Sequence, residues 1–170
     1  MRLQTYMRIA TGAEPASYTW YAQLNNPSVA PATVFVSGVG GIVAYSGVDN
    51  AAPLDVEGGN TTGNSYSHTG NSIATTVANT MLVASHSFLS ADTWTPPAGM
   101  TERVDQSAPP APPDNAVGVA LEMSEEARPA AGATGNKTAV ASGGSGTDSG
   151  IVHMLALRPA PPSTPGGFNA

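Results

Sequence analysis

The sequence predicts an all-β fold, a jelly-roll-like antiparallel β-sandwich, with an immunoglobulin-like sandwich as the second choice. Three observations carry this. Short apolar or alternating runs recur at spacings near the roughly 8–12 residues of sandwich strands. The 19 glycines and 15 prolines punctuate those runs and read as turns. No long window keeps a helical period, and only Ala116–Glu126, rich in helix-favouring residues, competes with that reading.

In chain order, Leu3, Tyr6, Met7 and Ile9 mark a first strand over residues 2–10. A turn at Thr11–Pro15 leads to a second, Ser17–Leu24, carrying Tyr18, Thr19, Trp20 and Tyr21. Val29–Ser37 holds Val34-Phe35-Val36; Gly38–Gly41 then interrupts, and Ile42–Tyr45 resumes the strand pattern. Ser46–Asp55 reads as turns, and Glu57–Asn71, polar and rich in Gly and Asn, as a long exposed loop. Ser72–Val77 is a short strand, and Met81–Leu89 is the clearest core strand, apolar at its start on both faces.

Thr93–Asp105 follows. Pro96-Pro97 and Gly99 set a rigid corner, with Trp94 expected to plug the end of the sandwich. Strict alternation places Glu102 on the same face as Met100 and Val104, so either a bulge shifts the register or Glu102 faces a subunit boundary. Ser107–Pro113 is a proline-rich loop. Ala116–Met123 is a strand that Ser124–Arg128 ends with charge. Lys137–Ser142 and Ile151–Leu157 complete the set, the latter apolar on both faces. Residues 1–158 form the domain, and 159–170 a Pro/Gly-rich tail that ties it to neighbours.

Several phrases together resemble a β-sandwich module that recurs in tailed-phage virion proteins and bacterial surface proteins. They are Tyr6-Met7-Arg8-Ile9-Ala10, Glu14-Pro15-Ala16-Ser17-Tyr18-Thr19-Trp20, Ala44-Tyr45-Ser46-Gly47-Val48-Asp49, Trp94–Arg103 and Ala131–Thr138. The resemblance implies a sandwich and a virion-associated or surface role. Such modules usually carry one or two further strands upstream, ending in a proline-glycine-tryptophan turn. Either the full-length protein is longer or a neighbouring chain supplies that pairing. We favour the second, as a trimer or higher oligomer, because an unpaired sheet edge is an aggregation hazard.

Composition limits the function classes. Charged residues make up 11% of the chain, against roughly 25% in an average soluble protein, so Ser, Thr, Asn, Gly and Pro must cover the surface. A net charge of −6 with six scattered basic residues argues against nucleic acid as a partner. No apolar run approaches the ~20 residues that span a membrane, and Met1–Tyr6 leads into no secretory apolar stretch. With no cysteine, disulfides and thiolate chemistry are excluded. Asn60-Thr61-Thr62 and Asn136-Lys137-Thr138 are formal glycosylation sequons, meaningful only in a secretory pathway.

No convergent catalytic set is readable. His68, His86 and His153 show no metal-ligand spacing and read as core or interface histidines. Asp49 and Asp55, with Asn50 and Glu57, are weak calcium candidates whose spacing fits no loop motif. No Gly-x-Ser-x-Gly elbow exists, and nothing pairs Glu102, Asp105, Glu122, Glu125 or Glu126 as hydrolytic carboxylates. Trp20 and Trp94 read as structural. Tyr66 and His68, in the polar loop, are the candidate ligand-binding residues. The expectation is therefore a non-enzymatic virion or extracellular structural protein: a capsid decoration, fibre or tail-associated sandwich. It needs no cofactor, and its partners are copies of itself and other virion or surface proteins. A carbohydrate-binding or adhesive module, with a glycan partner, is the alternative.

Overall fold

The computed structural model describes residues 1–20, 37–110, 118–143 and 148–162. Its strands are β1 (Leu54–Ser65), β2 (Ser67–Gly70), β3 (Ala74–Thr75), β4 (Thr80–Phe88), β5 (Trp94–Thr95), β6 (Thr101–Ala108), β7 (Val119–Arg128), β8 (Gly132–Ala133), β9 (Lys137–Ala141) and β10 (Asp148–Leu157). There is no helix among the described residues. A five-stranded antiparallel sheet runs β1-β10-β4-β7-β6; a three-stranded sheet, β2-β9-β5, packs against it, and β3-β8 form a small ribbon. The protein is an all-β antiparallel sandwich.

Strand periodicity sorts the side chains. Even-numbered residues of β4, β7 and β10 point inward, where Leu82, Ala84, Val152, Met154 and Met100 form one cluster. Phe88, Trp94, Ala120, Ala139 and Ala141 form a second. The short sheet comes very close at Gly70: a Cβ there would lie 2.7 Å from both Met154 Sδ and Val152 Cγ1, so only glycine permits this approach.

The outer face of the large sheet is covered as well, but by irregular chain. Val83, Ser85 and Ser87 alternate with the inward residues of β4 and are also buried. Ser87 Oγ lies 3.6 Å from Met1 Sδ, and Thr5 Oγ1 lies 3.0 Å from His153 Nδ1 on β10. On the other flank Gly41 rests on Val104, and Ser37 Oγ donates to the Pro109 carbonyl at 3.0 Å. The near-continuous apolar character of β4 and β10 reflects burial on both faces.

Several sequence expectations are corrected. Residues 2–10, 17–20 and 42–45 form no strand; they cross the molecule as irregular chain. Tyr21–Leu24 and Val34-Phe35-Val36 lie outside the described residues. The polar stretch Glu57–Asn71 is not a loop: most of it is β1 and β2. Its burial from Val56 to Thr62 alternates half-buried and exposed, as an edge strand's does. What holds it is main-chain pairing to β10, from Val56↔Ala156 to Thr62↔Gly150, which needs no apolar side chain. Ser124–Arg128 does not end its strand. β7 runs through Arg128 because Glu125 pairs with Arg103, and Glu126 with Arg128 and Lys137. The stretch with helix-favouring residues is strand from Val119 on. The tail is tied to the body at its start, where Val48 bridges Pro159 and the Ala160 amide donates to the Gly47 carbonyl at 2.8 Å. Residues 163–170 are outside the described residues.

Truncating a fully buried aromatic leaves a cavity. Phe88→Ala is expected to cost about 3–5 kcal/mol in urea denaturation. Val140→Ala, on the exposed face of the short sheet, is expected to cost less than about 1 kcal/mol.

Candidate functional site

Three places concentrate polar chemistry: the space between the sheets, the outer groove beside β1, and the N-terminal aromatic surface.

Between the sheets, β2 delivers His68, β4 delivers His86 and Phe88, and β5 delivers Trp94. The His68 ring lies 5.0 Å from Phe88 and 5.6 Å from Trp94, and Phe88 and Trp94 meet edge-on at 4.9 Å. His68 Nδ1 and Thr62 Oγ1 are 2.5 Å apart. His86 Nε2 donates to the Lys137 carbonyl at 3.1 Å, which fixes its tautomer. Burial holds both imidazoles below the usual histidine range, His86 down to about 4.

Opposite His86 in the β4–β7 register sits Glu122, fully buried. Burial pushes its carboxyl up to about 8, and the Glu102 and Asp105 carboxylates on β6 push the same way. The nearby cations are engaged elsewhere, Arg103 with Glu125 and Lys137 with Glu126. Near neutrality this interior therefore holds a neutral imidazole and a protonated carboxyl.

On the outer face an open groove of about 550 Å³ is lined by Leu3, Thr5, Glu57, Thr61, Ile151 and His153, among others. Thr5 Oγ1 contacts His153 Nδ1, and His153 Nε2 lies 3.2 Å from Glu57 Oε2. Hydroxyl, imidazole and carboxylate in that order match a nucleophile, its base and an orienting acid. Here, however, Glu57 is 56% exposed and the groove is open, so water screens the chain. We read it as a latch that ties the N-terminal segment to the sheet.

At the surface, Tyr6 and Trp20 stand 5.6 Å apart at a 33° tilt. The Tyr18 hydroxyl donates to Glu14, and the Arg8 guanidinium lies 5.9 Å from the Tyr18 ring centroid.

The sequence candidates are dispersed. His68, expected in an exposed loop, is buried between the sheets, while Tyr66 stays 37% exposed at the β1–β2 turn; the two do not share a surface. Trp94, expected to plug the end of the sandwich, is 6% exposed and packs in the core with Phe88, whereas Trp20, expected to be structural, is 65% exposed. The corner forms: the Met100 amide donates to the Pro97 carbonyl at 3.0 Å, and Gly99 has φ +81°, the geometry of a type II turn following Pro96. Glu102 is resolved by a bulge between Glu102 and Val104, which sends Arg103 to the outer face and sets Glu102 beside Glu122. Asp49 Oδ1 accepts from the Ala51 amide at 2.9 Å, closing its own turn. Asp55 accepts from the Thr76 amide at 2.7 Å and Arg158 at 3.1 Å. Among the described residues no three metal-ligating side chains converge.

Sequence reasoning missed Glu122 as a buried acid. Its signal was strand parity, since Glu122 shares a face with Ala120 and Ser124. Comparison of the chain with family models, curated proteins and solved structures finds no match.

The two buried groups make stability depend on pH. Glu122 binds its proton more tightly folded than unfolded, so its contribution is full below its ordinary value of 4.5 and is lost as pH rises through about 8. His86 resists protonation when folded, so its contribution is full above its ordinary value of 6.5 and is lost as pH falls through about 4. The two oppose each other between 4.5 and 6.5, and only the Glu122 loss acts above that. The urea midpoint is expected to fall between pH 6.5 and 8, and Glu122→Gln to flatten that fall.

Proposed function

We infer that this protein is a non-enzymatic structural component of a virion: a capsid decoration, fibre or tail-associated sandwich of the jelly-roll type. It works by docking to copies of itself and to a shell or tube. The observation that carries this reading is the concentration of exposed large apolar side chains in one part of the chain. Tyr6, Met7, Ile9, Tyr18 and Trp20 are all exposed, whereas among the described residues of the strand region only Tyr66 and Val140 of the large apolar residues are. Scattered surface apolar residues are ordinary, whereas a contiguous exposed patch marks a contact surface; Tyr6 and Trp20, packed together and both exposed, are the centre of such a patch in this reading. The resemblance of Tyr6–Ala10, Glu14–Trp20 and Trp94–Arg103 to virion modules supports the same reading.

A second reading, a glycan-binding or adhesive module, draws on the tilted Tyr6–Trp20 pair. Aromatic faces stack on sugar rings, and Arg8 and Glu14 beside Tyr18 offer polar contacts.

Sedimentation velocity separates the two. The assembly reading predicts an oligomer, whose dissociation constant rises at least about tenfold on Tyr6→Ala with Trp20→Ala, as loss of buried aromatic anchors does. A monodisperse monomer contradicts it. Glycan-array binding lost on Trp20→Ala, with sedimentation unchanged, supports the second reading instead.

A further inference from the structure

The two edges of the large sheet differ in a way that assigns one of them a partner. β6 carries the devices that block edge-to-edge pairing. It has Glu102, Arg103 and Asp105, a bulge between Glu102 and Val104, and Ser37 seated at its Ala108 end. β1 confines its irregularities to its two ends, between Leu54 and Val56 and between Thr62 and Ser65. Between them its register with β10 is unbroken from Val56 to Thr62, and it contains no proline. From Gly58 to Ser65 its side chains are small and uncharged. Its two acids are already engaged, Asp55 by Arg158 and Glu57 by His153. No described strand pairs with its far side.

We propose that the β1 edge of one copy pairs antiparallel with the β1 edge of a second copy across a two-fold axis, joining two five-stranded sheets into one continuous sheet. This rests on the self-assembly reading above and names the surface through which it occurs. A second copy is the occupant because the patch is complementary to itself. An isologous contact needs a surface that can face its own copy, and from Gly58 to Ser65 this one is small and uncharged, with Glu57 the one acid beside it. With the axis near Gly59, Glu57 lies opposite the partner's Thr61 and not opposite a second Glu57.

Strand pairing alone buries less than the roughly 1,200–2,000 Å² of a stable interface. The N-terminal segment supplies the rest. Leu3 and Thr5 already line the groove beside Glu57 and Thr61, and Tyr6, Met7 and Ile9 follow them, exposed.

The chain has no cysteine, so single labelling sites are clean. Thr61 and Gln106 are exposed, on β1 and β6 respectively. Thr61→Cys and Gln106→Cys, each carrying a nitroxide, are to be examined by dipolar electron spin resonance alongside sedimentation. β1 pairing places the two Thr61 labels within about 20 Å, given the rise and spacing of strands, and leaves the Gln106 labels without coupling in that range. A labelled Thr61→Cys chain that sediments as a monomer, while labelled Gln106→Cys stays oligomeric, supports the same edge by steric block. An oligomer with coupling at Gln106 alone, or at neither site, overturns the β1 interface and leaves self-assembly standing. An unlabelled chain that is monomeric overturns both.

Discussion

β4 and β10 lie inside the five-stranded sheet; β4, and β10 from Gly150 on, are buried or half-buried on both faces. A sheet of this kind must be covered twice. The inner face is covered by β2-β9-β5, strands of four, five and two residues. The outer face is covered by chain that forms no strand. Much else follows from that asymmetry. The short sheet cannot match the area of the long one, so Trp94, Phe88 and Met100 fill its ends with bulk. The N-terminal chain covers the other face while leaving its own apolar side chains exposed.

The interior is more polar than a minimal sandwich requires. His68, His86 and Glu122 are fully buried. Two of these groups are neutral and hydrogen-bonded through one ring nitrogen each, His68 Nδ1 with Thr62 and His86 Nε2 to the Lys137 carbonyl. Glu122 is accommodated by staying protonated, at the cost of pH sensitivity near Glu102 and Asp105. Other acids have cationic partners: hydrogen bonds from Arg103 hold Glu125, and from Lys137 and Arg128 hold Glu126, below the usual carboxylate range, while Asp55 is held low by Thr76 first and then by Arg158. Polar burial of this sort stabilises less than apolar packing but disfavours alternative registers, because a one-residue slip would move His86 and Glu122 to the opposite face.

The all-β class and the core strands were legible because apolar runs and turn residues report them directly. Met81–Leu89 and Ile151–Leu157 overlap β4 and β10 closely. The corner at Pro96-Pro97-Gly99 was legible because proline and glycine restrict dihedral angles locally. β1 was not, since an edge strand of Gly, Asn and Thr is held by its neighbour's main chain, which no local pattern records. The failure at residues 2–20 is the converse. Tyr6, Ile9, Tyr18 and Trp20 suit a strand, yet no described strand edge receives them, and propensity without a pairing partner does not make a sheet. The Tyr66–His68 surface dissolved because Tyr66 is the turn residue between β1 and β2, outside the alternation that carries His68 inward on β2.

The large sheet therefore depends on the outer face of β4 being covered. Ser85 sits at the centre of that face, buried, between His153 and Met123 in the register. Ser85→Cys creates the sole thiol of the chain with little change in volume. Its reaction rate with a disulfide reagent, compared with the same chain in urea, reads the cover directly. A covered face gives strong protection, with labelling limited by opening of the fold. A folded chain that labels as fast as the unfolded one would contradict it, because the sheet would then be bare on one side.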